Sequence, residues 1–447
     1  MDANTARMYV DDRPGDGVFR VHRDVYSDPE LFALEQKFVF ERTWIFLTLE
    51  SELLRPNDFI TSFIGRTPVL VTRDPAGALR GFVNTCRHKS AVVCRSEKGN
   101  AKFHVCAYHG WAYDATGRNV DIKDSKTGQY GKGFDANDHN LIPLARLASY
   151  KGMVFGSLTP DVPDLDVFLG DIGFFLDLAM EQGPQGMEFV PGRAAYTYRG
   201  NWKLQLDNGL DPYHLTSTHV SFMNIQARRR AGSGHQEARQ FDWSTRVEIG
   251  AGTFTFDHGH TVSFADQTEP QKRAIYPAID EIRARVGDVR AEWMLRMRQL
   301  AVFPGLQIGE GSGLVLRTFR PLAVDKTEMM AWCLAPIGEA PELRARRLRQ
   351  FEDFFNPAGL ATPDDTVVYE ECQRGFDASP VSFMEGYSRG IKVLEQGANA
   401  IAGTLGIRPA QSLFGPFETF AEPAMHAPHR EWARLMQAGS DGRKAYE

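Results

Sequence analysis

Residues 86–111 read CRHKSAVVCRSEKGNAKFHVCAYHGW. Cys86 and His88 form a Cys-x-His pair, seventeen residues follow, and Cys106 and His109 form a Cys-x2-His pair. Each pair mixes one sulfur with one nitrogen donor. Structural zinc sites usually group like donors, as Cys-x2-4-Cys and His-x3-5-His. One thiolate and one imidazole on each of two loops suit a two-iron cluster better, with both thiolates on one iron and both imidazoles on the other.

That is the ligand set of a Rieske [2Fe–2S] centre, and the flanking sequence agrees with it. Residues 58–85, DFITSFIGRTPVLVTRDPAGALRGFVNT, hold β-rich runs broken by Gly65, Pro68, Pro75 and Gly77, which predicts a meander of short strands. Further strand-like pieces stand at 101–105 and 152–158, so 44–158 reads as a small all-β module inserted in a longer chain. Cys94 falls outside the ligand pattern and reads as a small buried hydrophobe. His104 alternates with apolar neighbours, as on a strand face, and Trp111 is placed to cover the cluster. Imidazole ligation raises the potential above that of an all-Cys cluster. Such a centre takes up electrons and hands them on, so a recipient is expected. A zinc-stabilised binding module and a plain electron carrier are the rival readings at this point.

A candidate recipient lies at 200–219, GNWKLQLDNGLDPYHLTSTH, where Asp211, His214 and His219 crowd together. Two histidines and one carboxylate on one face hold mononuclear non-haem Fe(II). His214 and His219 are five apart, which is not the same-face spacing of a regular helix, so a broken turn is expected. Asp211-Pro212 also reads as an N-cap and first helical residue. His258 and His260 read as a polar pair on one strand face, Cys333 and Cys372 as core, and QARRR (226–230) as a solvated loop or subunit contact.

The whole chain has 447 residues, 43% hydrophobic and 24% charged, with a net charge of −6. That size suits two or three domains, and the mild acidity argues against nucleic acid or a membrane surface. No apolar run reaches a membrane span. No signal peptide is visible at the start. Five cysteines, an odd and sparse set, suggest a reducing cytoplasm. Residues 18–55 read as mostly helical, with Ser27 capping a helix. After 190, runs of strands with a few long helices indicate α+β. The tail after about 420 shows no pattern.

In order and spacing over roughly 18–420, the chain resembles the large (α) subunit of the Rieske non-haem iron ring-hydroxylating oxygenases. CRH…CAYHGW and the 200–219 stretch carry the resemblance. FNPAGLATPDD (355–365) and VLRTFRPLAVDKTE (315–328) bring it closest to the benzoate, toluate and anthranilate branch. The resemblance implies a helix-grip catalytic domain, an antiparallel sheet plus helices, with the Rieske domain inserted near its N-terminus. The expected division is 1–43 (helical part of the catalytic domain), 44–158 (Rieske) and 159–447 (catalytic iron). It implies Cys86, His88, Cys106 and His109 on the [2Fe–2S] cluster. His214, His219 and Asp365 would hold Fe(II), with Asp364 the second choice and Thr362 a helix cap on the bland reading. It makes Asp211 a bridge between His214 and His109 of the neighbouring subunit, and puts Asn208 near the iron. It implies hydroxylation of a small aromatic acid with O2, a small β subunit, an NADH-linked reductase or ferredoxin, and an α3 or α3β3 assembly. A ring monohydroxylase or demethylase is the alternative. Lys89-Ser90 stands where relatives often carry Arg-Gly, Asp207 where Glu is common, and Pro212 where the branch has glycine.

Overall fold

The computed structural model describes residues 8–231, 249–267, 269–311, 313–416 and 422–446, without the side chains of 230 and 231. The first residues of the chain and the side chain of Arg230, the last residue of QARRR, lie outside these. The chain divides into two compact units, Phe40–Val162 and the segments on either side of it.

Phe40–Val162 is all β. A four-stranded antiparallel sheet runs in the order Leu79–Val83, Thr67–Arg73, Asp58–Ile64, Lys98–Asn100. Two three-stranded sheets accompany it: Phe103–Val105 with Ala112–Asp114 and Asn119–Asp121, and Ile45–Leu49 with Met153–Ser157 and Arg146–Tyr150. Gly65 and Gly77 sit in turns at positive φ, +55° and +88°, but Pro68 lies inside the strand Thr67–Arg73 and breaks nothing. At Gly117, with φ +79°, a Cβ would stand 2.3 Å from the Phe82 ring, so only glycine fits the turn. One core cluster gathers Phe59, Leu70 and Phe82 around Cys86, Cys94, Cys106, Trp111 and Tyr113. His104 is buried on its strand against the edge of Phe59.

The larger unit is built on one antiparallel sheet. Its order is Met187–Phe189, Lys326–Pro336, Leu314–Ala323, Leu306–Glu310, Met297–Val302, Thr261–Ala265, Gly250–Thr255, Gln411–Pro416, Glu395–Gln396, with Ala194–Tyr198 also on Lys326–Pro336. Seven helices matter here: α1 (Pro29–Phe38), α2 (Trp202–Asn208), α3 (Leu215–Thr218), α4 (Val220–Ala231), α5 (Pro341–Phe354), α6 (Thr362–Gly375) and α7 (His426–Ser440). On Leu314–Ala323, alternate residues share a face. Val315 packs with Phe351 and Phe355 at α5, and Phe319 stacks near Trp202 of α2. Both helices therefore lie over the same face of the sheet. Glu35 of α1 ties down the start of α2: its carboxylate accepts from Lys203 and from the indoles of Trp202 and Trp432, all buried. A buried carboxylate is tolerable because every oxygen is occupied.

Several local expectations change. Asp28, not Ser27, caps α1, accepting from the amides of Glu30 and Leu31, and Ser27 closes the preceding turn. The tail is ordered as α7, whose Pro428 falls in the first turn, where proline is tolerated. Cys372 is exposed while Cys333 is core. QARRR is the end of a helix, with Arg229 paired to Asp353 at 2.7 Å. His258 and His260 lie at a 3₁₀ turn rather than on a strand. His260 is spent on backbone, donating from Nε2 to Phe168 O (3.0 Å) and accepting from Phe303 N at Nδ1 (3.2 Å).

Candidate metal centres and substrate cavity

In the all-β unit the two ligand loops have one design. Ser90 N donates to Cys86 O (3.0 Å) and Cys86 N to Ala91 O (2.8 Å); Gly110 N donates to Cys106 O (2.9 Å) and Cys106 N to Trp111 O (2.8 Å). Each turn needs a left-handed residue. Gly110 supplies it at φ +76°, and Ser90 does so at φ +56°, so the missing glycine leaves the geometry intact at a cost of about 1 kcal/mol. Cys86 and Cys106 are buried, unbridged thiols. His88 Nδ1 and His109 Nδ1 face each other at 3.1 Å. Two sulfurs held inside an apolar core and two converging imidazoles fit a cluster with Cys on one iron and His on the other. The Trp111 indole stacks on His88, 5.0 Å between ring centres and 8° from parallel.

Sequence reading passed over Tyr113. Its hydroxyl lies 3.4 Å from Cys86 Sγ and accepts from Arg87 N at 3.1 Å, so its proton points to the sulfur. Burial raises its pKa first, and the Cys86 sulfur adds to the effect, so the hydroxyl stays a donor. A hydrogen bond to a ligand sulfur stabilises the reduced cluster. Tyr113→Phe is expected to lower the reduction potential by roughly 40 mV. That figure follows from about 1 kcal/mol per hydrogen bond and 59 mV per tenfold for one electron. A titration followed by the cluster's spectrum measures it.

In the larger unit, α2 is capped by Asn201, whose side chain accepts from Lys203 N, and it stops at Gly209. There a Cβ would stand 2.3 Å from Gln307, which is donating to the carbonyls of Gln205 and Leu206. Asp211 starts no helix: its Oδ1 accepts from Tyr213 N at 2.7 Å, and α3 begins four residues later. His214 precedes the single turn of α3 and His219 follows it, at φ −99° and ψ 29° between α3 and α4. This break turns both rings to one point. His214 Nε2 and His219 Nε2 are 3.2 Å apart, and Asp365 Oδ1 is 3.6 Å from the first and 3.2 Å from the second. Among the described residues this is the one set of three or more His, Cys, Asp or Glu side chains close enough together to share a single metal ion.

Asp365 comes from the first turn of α6, which starts after Ala361; Thr362 lies inside the helix and is not its cap. Asp364 turns the other way. Its Oδ2 stands 3.5 Å from His219 Nδ1, and neither atom has another partner. A carboxylate behind a metal-facing imidazole fixes ring orientation and raises basicity. Asp211 Oδ2 does the same behind His214 Nδ1, at 3.4 Å. Burial opposes a charge on His214, but Asp211 and Asp365 outweigh it and hold its pKa above the ordinary value. The site is built for a cation. Asn208 Nδ2 reaches Asp365 Oδ1 at 3.2 Å and His214 Nε2 at 3.3 Å. The three groups fit mononuclear iron: two nitrogens and one oxygen, close enough for one ion to touch all of them.

A cavity opens beside the triad, walled also by Leu210, Phe264, Met297, Gln299, Phe354 and Phe355. It is mostly apolar, as a site for an arene must be.

Two family descriptions match the chain: the Rieske [2Fe–2S] domain over residues 43–148, and the catalytic domain of ring-hydroxylating α subunits over 190–438. The chain belongs to the ring-hydroxylating α-subunit family. Its reaction is hydroxylation of an aromatic ring, and its cofactors are one Rieske [2Fe–2S] cluster and one mononuclear iron. The α subunit is 38% identical to toluate 1,2-dioxygenase subunit alpha of Pseudomonas putida, covering 90% of this chain and 88% of that one. It is 39% identical to the anthranilate 1,2-dioxygenase large subunit of Acinetobacter baylyi, covering 98% and 93%. Among solved structures, naphthalene 1,2-dioxygenase from Rhodococcus sp. matches with a TM-score of 0.80 at 27% identity over 98% of both chains. No helix among the described residues is long and apolar enough to cross a membrane.

Proposed function

We propose that this α subunit dihydroxylates the ring of a small aromatic carboxylate of the benzoate, salicylate or anthranilate type. Both atoms of O2 enter the ring, and the cis-dihydrodiol collapses to a catechol where the substrate allows. The observation that carries this reading is the convergence of His214, His219 and Asp365 beside an apolar cavity in a chain similar to toluate and anthranilate dioxygenases. In this reading His214, His219 and Asp365 hold the iron, and Cys86, His88, Cys106 and His109 hold the cluster. When bound, the iron supplies the site of O2 reduction and the cluster delivers the electrons. Asp211 and Asp364 hold the two imidazoles in place. Asn208 is a donor at the inner side of the triad. Phe264, Phe354 and Phe355 pack the arene and exclude water.

α subunits of this family work with a small β subunit and an NADH-linked reductase or ferredoxin. The finer assembly we propose is a cytoplasmic α3 or α3β3 ring in which the cluster of one copy serves the iron of the next. Asp211 would connect His214 to His109 of the neighbouring copy. Exposed aromatic residues next to each end support this: Tyr108 is 61% exposed and Tyr213 is 55%, as surfaces meant for a partner are. The test is a panel of benzoates with 18O2 and a reductase. Two labelled atoms per product are expected; one labelled atom would select the monohydroxylase or demethylase reading.

A further inference from the structure

We infer that Arg317 is the anchor for the substrate's carboxylate, an inference that rests on the aromatic-acid reading above and names the residue that enforces it. Four arginines are buried among the described residues: Arg273, Arg298, Arg317 and Arg347. A buried guanidinium is strongly unfavourable unless an anion meets it. Arg273 and Arg298 share Glu310, and Arg347 has Glu339 at 2.7 Å. Arg317 is 7% exposed and has no carboxylate partner among the described residues, and its Nε is sealed without a hydrogen bond. Its guanidinium carbon lies 5.3 Å from the centre of the Phe355 ring, and the Tyr196 and Tyr369 hydroxyls are within its electrostatic reach.

The position explains the unpaired charge. Arg317 lies on the strand Leu314–Ala323 and shares a face with Val315 and Phe319, the face covered by α2 and α5. It walls the same cavity as His214, His219 and Asp365. The acids of that cavity are engaged elsewhere: Asp211 faces His214, and Asp365 faces both histidines. Arg298 also lines the cavity, but Glu310 and the carbonyls of Trp293 and Arg296 occupy it. No described residue supplies the missing anion, and we assign that place to the substrate's carboxylate. A carboxylate matches the guanidinium fork in two parallel bonds. An aromatic wall joins this anchor to the triad. Ring centres are 5.7 Å apart for His219–Phe354 and 4.8 Å for Phe354–Phe355, and Arg317 lies over Phe355. A flat arene held by its carboxylate at Arg317 lies along that wall with its ring edge toward the iron ligands. A neutral arene gains nothing there and leaves the guanidinium uncompensated.

The test compares kcat/KM for benzoate with that for toluene, a neutral molecule of similar shape, in the holoenzyme with its reductase. Equilibrium dialysis of benzoate is run in parallel. Wild type is expected to favour benzoate. R317M removes the charge and keeps the length; the benzoate-to-toluene ratio should fall about 100-fold, mainly through KM, with a matching rise in benzoate Kd. R317K keeps the charge but not the fork, and guards against a folding defect; its ratio should fall about tenfold. Iron content and circular dichroism establish that each variant is intact. Either folded, iron-loaded variant keeping the wild-type ratio overturns the role of Arg317 alone. Wild type showing no preference for benzoate overturns the aromatic-acid reading and this inference with it.

Discussion

With Asp365 as the proposed third iron ligand, Asp365→Ala is expected to lose the mononuclear iron and to reduce ring hydroxylation by on the order of 1000-fold or more, while the cluster's spectrum stays unchanged. Without Asp365 Oδ1, two nitrogens 3.2 Å apart are left to hold the ion, and the carboxylate that balances its charge is gone. Loss of a group that merely orients a ligand costs about 10–100-fold in metal affinity, so loss of a ligand costs more. Asp364→Asn is the matched control from the same helical turn. It keeps the triad and weakens only the carboxylate behind His219 Nδ1, so iron should bind about 10–100-fold less tightly but still bind. Iron content, competition with a chelator and product yield separate the two. If Asp364→Asn lost its iron and Asp365→Ala kept it, the ligand assignment would be reversed.

How far this pair was legible from sequence shows where reading stops. TPDD is a good helix start whatever its function, and sequence left Asp364 and Asp365 almost interchangeable; resemblance favoured the second. The fold separates them because adjacent residues of a helical turn point about 100° apart, one to the metal-facing nitrogens and one to the far side of His219. The Cys-x-His and Cys-x2-His pairs were plainer, since their donors are local to two loops. The same holds for the broken turn between His214 and His219, which the five-residue spacing demanded. Caps were misplaced at Ser27 and Thr362 because a better acceptor or a different start lay one residue away. The 258–260 pair was placed on a strand because nothing local announces a left-handed His258 at φ 58°. Tyr113 and Arg317 act across strands, so their partners are invisible in one dimension. Arg317 still left a trace: a charge among the otherwise apolar odd-numbered positions Val315, Phe319, Pro321 and Ala323 of its strand.

Asp211→Asn is the second large effect. Iron should bind more weakly, as in Asp364→Asn, but in the iron-replete protein the cluster should remain and still accept electrons from the reductase. Turnover should nonetheless fall by about 100-fold or more. The Asp211 carboxylate is pinned at one oxygen by Tyr213 N and offers the other to His214 Nδ1, while about a fifth of the side chain stays open to solvent. That open edge is what a second imidazole would use in the proposed ring. Asparagine keeps the shape but lacks the charge that draws two N–H donors together, and charge-assisted bonds are roughly twice as strong as neutral ones. A purely local role would weaken iron binding and nothing else. A relay role would leave iron bound and slow the passage of an electron from pre-reduced cluster to substrate-loaded site. Single-turnover absorbance of the cluster, after mixing with O2 and benzoate, distinguishes the two. Reoxidation at the wild-type rate in iron-replete Asp211→Asn would end the relay proposal and leave Asp211 as a support for His214.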